Sequence, residues 1–247
     1  MHYPIMALFF HYWPIVLFVA FFGFLLSRGA SKKREELAAR NKADAGRLGM
    51  DYTPPAEGEH RFSGTTRGVA WTAEVTLLTS EVADGLATRR SGTVRYTRWT
   101  APGAGTGGGE LLLMALPDGV RPPPATAGAG GFFAGLAAKA AWAASQVYIR
   151  LNFGNARADS LTLTPENHLP LPGDAFGSAF TAFGNRPELL ERLSPPAREM
   201  LLKARDARAA FLWDTQGLSL TWPTAHIKPE EVAACAEYGA LLAGLIR

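Results

Sequence analysis

Val69–Leu77 reads VAWTAEVTL. Val69, Trp71, Ala73, Val75 and Leu77 alternate with small or polar residues. A period of two sends successive side chains to opposite faces, so the stretch predicts a strand with one dry and one wet face. Arg61–Ser63 is expected to pair with it across a turn at 64–68. Thr93–Thr100, with Val94 and Tyr96 on one face, reads as another strand. Glu110–Leu116 reads as a short apolar strand closed by Pro117-Asp118-Gly119. The connections are too short for crossover helices, which predicts an antiparallel meander. The Gly-rich run 101–109 and the Pro- and Gly-rich run 121–131 are expected as flexible loops.

Downstream, Phe132–Ile149 reads FFAGLAAKAAWAASQVYI and predicts a helix. Alanine contributes little hydropathy, so a core helix is expected over a second membrane span or an interfacial one. Ser160–Thr164 and Ala175–Phe183 read as strands. Asn185 is expected to cap a helix that Ser194-Pro195-Pro196 splits in two. Ala210–Asp214 and Leu218–Trp222 read as a hairpin around Thr215-Gln216-Gly217. Pro229, Glu230 and Glu231 open a last helix in which Val232, Cys235, Ala236, Tyr238, Leu242 and Leu245 offer apolar faces.

Upstream, the character changes. Residues Ile5–Leu26 run IMALFFHYWPIVLFVAFFGFLL, with no formally charged side chain and His11 as the one that can gain a charge near neutral pH. Twenty-two residues at about 1.5 Å each span roughly 33 Å, enough for a bilayer core. Seven basic residues (Arg28, Lys32, Lys33, Arg34, Arg40, Lys42, Arg47) follow, against Glu35, Glu36 and Asp44. This surplus of four exceeds the +3 of the whole chain, so the basicity is local and suits anionic headgroups more than nucleic acid. With no Lys or Arg before the apolar run, the expectation is an uncleaved single-pass anchor in a bacterial inner membrane, N-terminus outside and the remainder cytoplasmic. The expected organisation is an anchor over 1–27, a basic stalk and linker over 28–58, and a domain over 59–247, with sub-halves 59–150 and 151–247 as a variant. The expected fold class is therefore α+β: a single N-terminal transmembrane helix, then a soluble domain of antiparallel strands with two to four packed helices.

Chemistry-bearing motifs are scarce. There is no phosphate loop, H-E-x-x-H, C-x-x-C or G-x-S-x-G pattern. Cys235 is the single cysteine, which excludes an intrachain disulfide and reads as a core thiol. Arg89, Arg90, Arg95 and Arg98 interleave with Tyr96 and Trp99, a pattern that can hold single-stranded nucleic acid or headgroups but reads first as a solvated strand face. His11 could ligate a haem or pigment metal, though water near the outer interface explains it as well. No cofactor, catalytic residue or metal site is assigned.

The function expected is a non-catalytic accessory, scaffold or assembly subunit of a larger integral membrane complex. Lipid contact falls to Trp13, Arg28, Lys32, Lys33 and Arg34. Partner contact falls to Phe18, Phe21, Phe22, Trp99, Phe132, Phe133 and Trp142. Its partners are membrane lipid and other integral membrane subunits, with no nucleic acid. The alternative is a membrane-tethered enzyme or a lipid- or ligand-binding module. Glu74, Arg95, His168, Asp174 and His226 are the scattered residues from which its site would be assembled.

Overall fold

The computed structural model describes residues 32–33, 35–54, 59–82, 90–116 and 132–246, with the main chain alone at 77–82, 90–94, 132–141 and 144. The chain divides into two units, Met1–Asp44 and Ala45–Arg247. Residues 35–47 are helical (α1). In the first unit Arg40 and Asp44 form an i,i+4 ion pair at 3.7 Å on that helix.

The second unit is built on one sheet of nine strands, all paired antiparallel. In chain order they are β1 (Asp51–Thr53), β2 (Glu59–Thr66), β3 (Val69–Val82), β4 (Arg90–Ala101), β5 (Leu111–Ala115), β6 (His168–Leu169), β7 (Phe180–Gly184), β8 (Ala210–Asp214) and β9 (Gly217–Trp222). In space the order is β1-β2-β3-β4-β9-β8-β5-β7-β6. Strands from both expected sub-halves thus share one sheet, and β1 lies within the stretch read as linker. The β2–β3 connection is a two-residue turn at Arg67-Gly68, with φ of 52° and 75°. Positive φ at both positions matches the twist of a hairpin, and glycine takes the second position without a Cβ penalty.

Register explains the core. Tyr52, Phe62, Ala73, Trp99, Leu220, Phe211, Leu113, Ala182 and Leu169 are cross-strand neighbours in one row through all nine strands. Every one of them is buried. The alternation seen at Val69–Val75 is the local trace of this dry face. Helix α7 (Pro229–Leu245) packs over its β2–β4 end. Trp99 sits so close to Gly239 that a Cβ there would lie 2.6 Å from the indole. Glycine at 239 is what lets helix and sheet approach.

The opposite face is covered in part. Helix α2 (Phe132–Phe153) and the short α3 (Asn155–Ser160) lie over the β9-β8-β5-β7 region, where Ile149, Phe153, Ala158 and Leu163 pack with Leu112, Phe183, Ala210 and Leu212. Arg157 of α3 clamps the β8–β9 hairpin by a two-pronged pair with Asp214, at 2.7 and 2.6 Å. Three further helices complete the unit: α4 (Ala175–Ala179), α5 (Glu188–Glu191) and α6 (Pro195–Asp206).

Several expectations need correction. Among the described residues no helix is long and apolar enough to cross a membrane. Among the described residues the fold is α+β on one large antiparallel sheet, with six helices, α2 to α7, in the second unit in place of the expected two to four. The longest helix, α2, is 22 residues but is rich in alanine and buries one side on the sheet. The segment 5–26, with His11, Trp13, Phe18, Phe21 and Phe22, lies outside the described residues, as do Arg28 and Arg34.

Ala175–Phe183 is not one strand. Asp174 caps α4 by accepting from the Gly177 amide at 2.9 Å, and β7 begins only at Phe180. Ser160–Thr164 is no strand because the Thr162 amide donates to the Glu110 carboxylate at 2.9 Å instead of to a ladder. Asn185 caps nothing. Its side chain accepts from the Glu110 amide at 2.8 Å and donates to Thr162 Oγ1 at 3.0 Å. The Gly-rich run 103–109 is tied down: Trp213 Nε1 donates to the Ala104 carbonyl at 2.8 Å and the Thr106 amide to the Asp214 carbonyl at 3.0 Å. The run 121–131 lies outside the described residues.

Candidate interaction surface

The basic and aromatic strand resolves into two faces. Period two puts Tyr96 and Arg98 on one side of β4 and Trp99 on the other. Trp99 is fully buried under α7 and is therefore not available to a partner. Arg98 is occupied structurally. Its Nε donates to the Asn152 carbonyl at 2.9 Å, at the C-terminal end of α2, where a cation suits the helix dipole. It also lies 3.4 Å from Glu74, which pairs with Arg61 at 2.7 Å, and 4.9 Å over the Tyr96 ring. Arg95 is exposed, while Arg89 and the side chain of Arg90 lie outside what is described.

The scattered residues proposed for a catalytic site do not converge. Glu74 is in the Arg61–Arg98 row. His168 Nε2 meets Thr181 Oγ1 at 3.0 Å, and burial lowers its pKa from the usual 6.5. Asp174 is a helix cap. The His226 amide donates to Thr97 Oγ1 at 2.8 Å. No hydrogen bond or ion pair joins any two of Glu74, Arg95, His168, Asp174 and His226. Among the described residues no group of three or more His, Cys, Asp or Glu side chains is arranged to hold a metal.

The nearest approach to a reactive constellation is a shallow cleft of about 350 Å³ lined by Trp222, His226, Glu231, Ala234, Cys235 and Tyr238. His226 Nδ1 lies 3.7 Å from a Glu231 oxygen. The thiol is unsuited to attack: burial, helped by the Glu231 charge, pushes Cys235 up to about 12. A thiol so protonated is a poor nucleophile near neutral pH.

Among the described residues, the outer side of α2 over 143–151 is left uncovered. Ser145, Ile149 and Phe153 form its buried stripe at i, i+4 spacing. Ala143, Val147 and Leu151 form a second stripe two residues out of step, about 200° round the helix. Val147 is 59% and Leu151 62% exposed, more than any other large hydrophobic side chain described. Arg150, paired with Asp159 at 2.8 Å, gives this stripe a charged rim.

Of the expected contact residues, Trp142 is half-buried with its ring 5.2 Å from that of Phe183. Phe132 and Phe133 are on α2, but their side chains are outside what is described. Val147 and Leu151 lie outside the expected contact residues, although their spacing against Ile149 and Phe153 carries the signal. Lys32 and Lys33 are exposed. No family model matches this chain, and no curated protein or solved structure is significantly similar to it.

Proposed function

We propose that this chain is a non-catalytic accessory or assembly subunit whose sheet domain docks on the cytoplasmic face of a larger membrane complex. The observation that carries the reading is the exposed Val147–Leu151 stripe on α2, since apolar side chains one turn apart on an exposed helix side suit contact with another protein. Its ionisable neighbours support the same reading, because Glu74, Arg98, Arg157, Asp214 and Glu110 are all engaged in holding the fold. The membrane side of the proposal rests on charge alone. The surplus of basic residues over 28–50 suits an anionic surface, and Lys32 and Lys33 project freely.

The test is purification of the tagged full chain from its native membranes in mild detergent, followed by sizing and identification of co-purifying subunits. Defined stoichiometric partners, lost in a V147E/L151E double variant that still folds, are the expected result. A lone monomer, or partners retained by the double variant, would contradict it. The cleft beside α7 gives a specific reason to keep a ligand-binding role as the second reading.

A further inference from the structure

Trp222 ends β9, and the chain then passes through His226 into α7, where Glu231, Ala234, Cys235 and Tyr238 lie along the side of the helix nearest that strand end. The rings of Trp222 and Tyr238 meet nearly at right angles, 81°, with centroids 6.2 Å apart. They form a corner. Tyr238 is fixed there because its hydroxyl donates to the Met200 carbonyl. His226 and the half-exposed carboxylate of Glu231 stand on the remaining side.

We propose that this corner is a binding site for an organic cation, specifically an alkylated ammonium group. Aromatic faces attract cations through their quadrupole; in this edge-to-face pair Trp222 is 8% exposed and Tyr238 half-buried, so a roughly spherical group meets the Tyr238 ring and the margin of the indole. The carboxylate adds charge complementarity from a third. The walls are mostly ring and methyl surface, which cannot replace the hydration of a compact ion such as sodium. An ammonium whose charge is spread over methyl groups loses far less on entering. An anion is disfavoured twice, by Glu231 itself and by Glu230 beside it in the first turn of α7. The Cys235 thiol beside it is raised chiefly by burial, with the Glu231 charge adding to the shift.

Lys228 supplies an internal competitor. Its ammonium lies 3.9 Å from Glu231 Oε1, yet its side chain is 77% exposed. A pair that exposed is weak, so a ligand able to use the aromatic corner as well displaces it. Free quaternary amines and the methylated lysine of a partner protein both carry the required group.

The full chain would be titrated by calorimetry with tetramethylammonium, choline and a trimethyllysine peptide. Sodium chloride serves as the ionic control and 3,3-dimethylbutan-1-ol as choline's neutral counterpart. Saturable binding of the cations, on the order of millimolar for one unaided aromatic corner, is expected. E231Q should weaken it roughly fivefold, K228A should tighten it about two- to fivefold by removing the competitor, and A234L should abolish it by filling the cleft from an exposed position. Binding of the peptide at least tenfold tighter than choline would assign the cation to a partner's lysine; the reverse would assign it to a free amine. Absence of saturable binding by any of the cations, equal binding of the neutral alcohol, or E231Q indistinguishable from the parent would overturn the proposal. None of these readouts depends on α2, so failure here leaves the assembly reading untouched.

Discussion

Arg157 and Asp214 show how charge is used in this molecule. Their side chains are only 14% and 3% exposed, and the carboxylate also accepts from the Gln216 amide at 2.7 Å. Removing one partner strands the other in a dry place, which typically costs about 3–5 kcal/mol. R157A is therefore expected to lower unfolding stability by roughly 3 kcal/mol. An R157M/D214L double variant should lose less, as measured by urea denaturation. Cys235 gives a second test at this scale. With its thiol raised to about 12, alkylation at pH 8 should run roughly fifty-fold slower than in the urea-unfolded chain, the small thiolate fraction being partly offset by greater intrinsic nucleophilicity. Mass spectrometry of iodoacetamide labelling would follow it. The core thiol was legible in the sequence from its place among Val232, Ala236 and Leu242. The Arg157 clamp was not, because its partner is 57 residues away and nothing local signals the pairing.

At the scale of elements, patterns of period two carried well where the register was local, while the capping signal at Asn185 did not, because its side chain bonds to the Glu110 amide and Thr162 instead. Val69–Val75 alternates because β3 lies in the sheet with one dry face, and the hairpin around residues 215–217 falls where its turn residues put it. Ambiguity entered where a side chain competes for the backbone. Glu110 takes the Thr162 amide away from any ladder, and Asp174 turns an apolar run into a helical turn before it can become a strand. Helix α7 lies where it does because residue 239 has no side chain. G239A should drive a methyl into the Trp99 ring and cost about 1–3 kcal/mol by overpacking, visible as a lowered Tm. The membrane span was inferred from composition over 5–26, and no described helix has that character. The α2 stripe was hidden in the sequence by alanine, which leaves the two sides of the helix with little contrast.

For the whole molecule, the order of strands was the least legible feature. A meander accounts for β1 to β4, but β4 then pairs with β9, and β5 is inserted between β8 and β7. These contacts join segments far apart in the chain, and hydrophobic alternation identifies a strand without naming its neighbour. The same sheet holds two histidines, His60 buried and His168 half-buried, whose protonation opposes folding. His60 accepts from, or donates to, Tyr52 at 2.7 Å, and burial lowers its pKa, as it does for His168. A lowered folded pKa means that the unfolded chain takes up protons first. The stability contributed by the neutral rings is complete above the usual 6.5 and is lost as the pH falls from there through the lowered values. Urea midpoints should thus drop between pH 7.5 and 5, and the slope should flatten in H60Q/H168Q.

An assembly role requires that the outer stripe of α2 meet another protein. A photo-crosslinking amino acid placed at Leu151, with Glu199 on the exposed side of α6 as control, asks this in living cells. One discrete adduct is expected from position 151, of the same mass from position 147, and none from position 199. Equal labelling from all three positions, or none from the stripe, would contradict it.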